Sequence, residues 1–217
     1  MDDLKRYIRE PINGLSHTVG AFLAFIGLIV LLYKSVEEGS FSKTVAFSIF
    51  GTSMVCMYLS SSLFHSIPAK RKTLHRFRTL DHCMIYVFIA GSYTPVCLLL
   101  LRGHLRWIAF SCVWTIAALG ILQKIFWMRA PRWFSTMLYL LAGWLGLSLY
   151  PFLLRSAPAY FLLWMLIGGL AYTLGAAIYG LEKPNPIPGW FGHHEIWHLF
   201  VMAGTLAHFW AFYRYLS

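Results

Sequence analysis

The chain has 217 residues, of which 59% are hydrophobic and only 12% charged, and its mean hydropathy is +0.62. That make-up excludes an ordinary soluble domain. Apolar runs of about 20 residues recur along it, the length that crosses a bilayer as a helix. The net charge of +10 does not call for a nucleic-acid partner, because Lys and Arg crowd the ends of the apolar runs, where they set topology and meet anionic lipid headgroups.

Seven runs are expected to span, at 15–33, 44–66, 81–101, 105–126, 133–154, 158–181 and 194–215. The expected fold class is therefore all-α, one seven-transmembrane helix bundle occupying 1–217 as a single domain. If the N-terminus is cytoplasmic, twelve Lys and Arg fall on inner segments, among them Lys5, Arg6 and the cluster Lys70, Arg71, Lys72, Arg76 and Arg78. Six fall outside: Lys34, Lys43, Arg102, Arg106, Arg155 and Arg214. This bias predicts a cytoplasmic N-terminus and an external C-terminus. The first apolar run is too long for a signal peptide, so no cleavage is expected.

In chain order, helix one follows Glu10-Pro11-Ile12-Asn13-Gly14, with Pro11 suited to a first turn, and carries Ser16 and His17 near its inner end. Helix two ends in Ser60-Ser61-Ser62-Leu63-Phe64-His65 before Pro68. Helix three is expected to open at Leu80-Asp81-His82, with Asp81 able to cap it, and Pro95 should kink it and free a carbonyl. Helices four to six hold Gly143, Gly146, Gly168, Gly169 and Gly175, which read as sites of close helix packing. Lys183-Pro184-Asn185-Pro186-Ile187-Pro188-Gly189 is a stiff connector to helix seven. Cys56, Cys83, Cys97 and Cys112 lie inside apolar runs without a C-x-x-C pair and read as small buried packing residues.

Helix seven opens with His193-His194-Glu195-Ile196-Trp197-His198. His194 and His198 are four apart, so their imidazoles share one helix face and can reach one divalent cation, most commonly zinc. In the seven-span topology His65, Asp81, His194 and His198 all come to the cytoplasmic side. The expected site is Zn2+ held by His65, His194 and His198 with water in the fourth position, which is the open pattern of catalytic rather than structural zinc. Asp81 and Ser61, the latter four residues before His65, are placed to hydrogen-bond that water or a substrate carbonyl. Hydrolysis of a lipid amide or ester is the reaction class such a group supports. His17, His75, His82, His104, His193 and His208 are read as interfacial or structural, with His17 and His208 as candidate partners of the ligands. His194 to His198 also matches H-E-x-x-H, yet no Asp or Glu follows and the one later His is His208, so a zincin protease with Glu195 as base is not favoured.

Glu10 to His17, Ser61 to His65, Leu80 to Tyr86, Gly91-Ser92-Tyr93-Thr94-Pro95, and His194 to His198 through His208-Phe209, taken in this order, resemble the hemolysin III family, relatives of the progestin and adiponectin receptor family. The resemblance implies a seven-helix fold with a three-histidine zinc site, carried here by His65, His194 and His198, with Ser61 and Asp81 matching the accompanying Ser and Asp. Ceramidase relatives in the wider superfamily are zinc-dependent lipid amidases. Receptor members carry a long N-terminal region, whereas about a dozen residues precede helix one here, so ligand-receptor signalling is not carried over. A plasma membrane location, the inner membrane in bacteria, and a part in membrane homeostasis are also implied. The competing expectation is a cytolytic or channel-like protein with structural zinc. A retinal-type receptor is excluded, since no Lys lies in helix seven, and helices four to six supply no carboxylate relay for an ion pump.

Overall fold

A computed structural model describes residues 7–217; Lys5 and Arg6, which enter the charge count above, lie outside them. In hydrocarbon a backbone N–H or C=O finds its partner only within a helix, and each expected apolar run is helical. The elements are α1 (Pro11–Glu37), α2 (Phe41–Ser66), α3 (Arg71–Pro95), α4 (Gly103–Phe126), α5 (Arg132–Trp144), α6 (Ala159–Leu181) and α7 (His193–Tyr215). A π-helical stretch, Val96–Leu100, extends α3, and a 3-10 stretch, Leu145–Leu149, with one further turn, Tyr150–Leu153, extends α5. Six of the seven segments are long and apolar enough to cross a membrane. α7 has 23 residues, enough for the same crossing by length, but His193, His194, Glu195 and His198 make its first two turns polar.

The helix boundaries depart from expectation most at α3. It starts at Arg71, ten residues before Asp81, and so Asp81 sits inside the helix and does not cap it. The segment 71–80 is charged and carries no apolar run, but Lys, Arg, Leu and His are adequate helix formers and nothing after Pro68 breaks the ladder. The loop expected from Pro68 to Thr79 shrinks accordingly. α1 likewise begins at Pro11, with the proline at its first position. At Pro95, which lacks an N–H, the helix passes into the π-helical stretch instead of stopping.

α1 packs along α2, α2 along α3, and α6 along α7, while α7 closes the bundle back onto α1. α3 is the most enclosed span, 61% of its apolar window being buried against 22% for α4. Phe47, Phe50, Phe161 and Phe212 are fully buried, and the rings of Phe50 and Phe212 meet edge to face at 4.7 Å. The opposite faces are bare: Phe22, Phe25 and Ile29 of α1, and Leu163, Leu166 and Leu170 of α6 are exposed. Apolar faces of this extent on helices of this length are lipid-facing.

Close packing falls on some of the expected glycines and not on others. A Cβ at Gly168 would run into the His208 ring, and one at Gly175 would lie 2.7 Å from Phe200 Cβ. Gly143 has open space around that position; its carbonyl instead accepts from Tyr93 Oη. Tyr93 Oη also donates to Ala142 O at 3.1 Å and accepts from Gly146 N at 2.6 Å, holding the place where α5 tightens into its 3-10 stretch. Among the cysteines, Cys83 and Cys97 are buried as expected, but Cys112 is exposed on the outer face of α4; an apolar run that meets lipid does not bury every position.

Candidate metal centre

The last turn of α2 leaves carbonyls without intrahelical donors. The residues ahead of α1 supply them: Glu10 N donates to His65 O at 2.9 Å, Arg9 N to Ser66 O at 3.2 Å, and the Arg9 guanidinium to Phe64 O. The Arg9 guanidinium also lies 4.3 Å from the Phe64 ring centroid. This strap holds the Glu10 carboxylate against His65, with Oε2 at 2.5 Å from Nδ1. Burial is the largest influence on Glu10 and pushes its carboxyl up. The hydrogen bond to His65, with the charges of His65, Arg9 and His194, outweighs it and lowers the pKa to about 2.

The start of α7 is fixed with comparable care. Asn185, in the connector, accepts from His193 N at 3.0 Å, and Glu195 Oε2 accepts from Gly192 N at 2.8 Å. The other Glu195 oxygen accepts from Asn13 Nδ2 at 2.7 Å, and that same amide reaches Glu10 Oε2 at 3.3 Å. Asn13 therefore ties α1 to both carboxylates and sets the register of α7 against α1 and α2. Glu195 is spent on this role, consistent with its not being a protease base.

These supports bring His65, His194 and His198 together. One ring nitrogen from each lies within 4.8 Å of the others, and the ring centroids are 5.0, 5.0 and 4.8 Å apart. His65 and His198 are each 2% exposed. His65 Nδ1 is committed to Glu10, so Nε2 is its nitrogen available to a cation, and His198 Nδ1 is buried without a hydrogen-bond partner. Nitrogens sharing one tetrahedral zinc lie about 3.3 Å apart, given Zn–N distances of about 2.0–2.1 Å. The three ring nitrogens, up to 4.8 Å apart, are more widely spaced than that. A carboxylate on the far nitrogen of a ligand histidine is the usual support of such a ligand. Three imidazoles with two carboxylates nearby fit a divalent cation in donor type and number.

The cluster borders a cavity of about 950 Å³ whose walls come mainly from α3, α5, α6 and α7. His194, His198, Ser61, Asp81 and His17 line it. Asp81 is buried and 3.2 Å from His82 Nδ1. His17 stacks on His198 at 3.6 Å between centroids and 11° between planes, and both of its nitrogens are buried without partners. His208 lies elsewhere along the cavity, with Nε2 3.2 Å from Met165 O and its ring edge-on to Tyr172, so it does not join the cluster. His82 and His193 are engaged locally, with Arg78 O and Asn185, and His75 and His104 are exposed.

Sequence spacing missed Glu10 and Asn13 as members of the site. Their signal was present in Glu10-Pro11-Ile12-Asn13, where two polar groups three residues apart open an apolar helix, but nothing in the spacing showed that this end of α1 abuts His65.

The Haemolysin-III related family profile matches residues 5–209. The chain belongs to the haemolysin-III family. It is 38% identical to Hemolysin-3 of Bacillus cereus over 206 residues, covering 94% of this chain and 91% of that one. With the Hemolysin-3 homolog of Bacillus subtilis (strain 168) it shares 40% identity over 204 residues, 93% of this chain and 92% of the other. More distantly, it is 28% identical to the adiponectin receptor protein of Drosophila melanogaster over 220 residues, 92% of this chain and 49% of that one. This haemolysin-III chain is thus a multi-pass membrane protein with three histidines drawn together, two of them lining a large cavity.

Proposed function

We propose that this chain is a membrane-embedded zinc protein that hydrolyses an amide or ester bond of a lipid, with Zn2+ held by His65, His194 and His198. The observation that carries the reading is the convergence of these three imidazoles from α2 and α7, two of which, His194 and His198, line a cavity with long apolar walls. A zinc ion there supplies Lewis acidity, polarising a carbonyl and making water nucleophilic near neutral pH. Asp81, buried beside the same cavity, takes the proton from the attacking water and passes it to the leaving group. Ser61 Oγ, one turn before His65 on the same helix face, hydrogen-bonds the substrate carbonyl. His17, stacked flat on His198, holds that ring in place. The apolar walls receive an acyl chain and exclude bulk water.

The reading includes seven spans, a cytoplasmic N-terminus, an external C-terminus and residence in the plasma membrane. Twelve inner against six outer Lys and Arg, and α2 ending where α7 begins, support that topology. Purified protein should hold one zinc per chain, and Asp81→Asn should keep the zinc and lose hydrolysis of a panel of acyl amides and esters. Absence of zinc, or unchanged turnover in Asp81→Asn, overturns the reading. The name of the Bacillus cereus relative, Hemolysin-3, favours a second one, a cytolytic protein with a structural metal. Under it, dye release from liposomes persists in Asp81→Asn.

A further inference from the structure

The cavity has a second polar region that the histidine cluster does not use. Lys124, in the last turn of α4, is 1% exposed. Its Nζ donates to Ser135 Oγ at 2.5 Å and stands 5.5 Å from the Tyr139 ring centroid. Among the described residues no carboxylate pairs with it; the nearby groups acting on it are Arg78, a charge of the same sign, and the Cys83 thiol. An ammonium buried in a membrane protein is costly unless an opposite charge reaches it, and such residues mark ligand paths.

Further positive groups gather at the same mouth. Arg78, Arg129 and Arg132 line the cavity beside Lys124, and of these Arg132 meets a carboxylate, Glu182, at 2.8 Å in an exposed pair. α5 starts there with no side chain capping its first turn, so its free N–H groups and the positive end of its dipole add to the field. Ser135 and Thr136 place hydroxyls in the cavity wall. Beyond them the wall becomes apolar, through Leu149 and Leu153 to Phe161 and Leu162.

We propose that this region is an anion site in its own right: the phosphate of an anionic phospholipid headgroup binds at Lys124, Arg78 and Arg129, with an acyl chain lying toward Leu153 and Phe161. Guanidinium and ammonium groups with hydroxyls and open helix N–H groups suit a phosphate. The apolar continuation suits a lipid rather than free phosphate. The site does not depend on a cation at the histidines.

Native mass spectrometry of the full chain in neutral detergent, titrated with phosphatidylglycerol, phosphatidylcholine or inorganic phosphate, tests this. Phosphatidylglycerol should bind about tenfold more tightly than phosphatidylcholine, and Lys124→Met should weaken it by at least about tenfold, the scale of one charge-assisted contact. Arg102→Gln, at the exposed start of α4 and outside the cavity, should bind as wild type. Because Lys124→Met removes a buried contact, the double change Arg78→Gln with Arg129→Gln, at two exposed positions, serves as a second probe and should weaken binding similarly. Equal binding of both lipids, or wild-type binding by both sets of variants, overturns the proposal. Displacement by inorganic phosphate alone makes it a free-phosphate site and overturns the lipid assignment. Each titration is run with zinc and with a chelator; binding lost on chelation places the headgroup at the histidines and also refutes it.

Discussion

Replacing Glu10 with Gln tests the proposed metal centre through a residue outside the three histidines. The substitution keeps the size and a hydrogen-bonding oxygen but removes the charge 2.5 Å from His65 Nδ1. At an effective dielectric of about 20, a unit charge about 4 Å away is worth about 4 kcal/mol. Here Arg9, 3.2 Å from the other carboxylate oxygen, shares that charge, and a Glu10 side chain 38% exposed lets water screen it. What remains should match the usual effect of losing a supporting carboxylate, a ten- to hundredfold loss of metal affinity, or about 1.4–2.8 kcal/mol. Competition against a chromogenic zinc chelator at neutral pH measures it, with His65→Ala as the variant that lacks a ligand. If Glu10→Gln binds zinc within twofold of wild type while His65→Ala does not bind, the carboxylate is no support for the ligand. If His65→Ala keeps wild-type affinity, the cluster is not the metal site.

Zinc should be released as pH falls, because an imidazole ligates only when neutral. Glu10 is not the trigger: with its pKa lowered to about 2, its favourable pairing is in place above its ordinary value of 4.5 and is lost only as pH falls toward about 2. Release is expected well above pH 2, and a midpoint near 2 would assign it to the carboxylate. Gly91→Ala should lower the thermal midpoint, at a cost of about 1–3 kcal/mol, since its Cβ would press on Ser53 of α2; Gly143→Ala, with open space at that position, should leave it unchanged. Tyr93→Phe leaves Gly146 N and two carbonyls of α5 without their hydroxyl partner and should destabilise by about 1–3 kcal/mol in the same melt.

Much of the site was legible because its chemistry is local. The i, i+4 spacing of His194 and His198, and of Ser61 and His65, fixes shared helix faces whatever the bundle does, and the structure places all four at one cavity or its edge. The helix cap expected of Asp81 is the part that the structure overturns. A carboxylate where an apolar run begins suggests a cap, yet the helix started ten residues earlier, on charged residues that hydropathy passes over. Glu10 and Asn13 were in view only as a helix start, because their partners His65 and Glu195 are 55 and 182 residues away.

From the sequence alone came the membrane setting, the helices and the histidine pairs, because hydrophobic length and helical periodicity act over one or a few turns. Tertiary structure decided the rest. Which helix ends meet, how the strap before α1 caps α2 and delivers a carboxylate to His65, and that Lys124 is buried beside a cavity with no carboxylate paired to it among the described residues all depend on packing between distant segments. Side-chain contacts of that kind follow from how seven helices share one volume, which no single stretch of chain encodes.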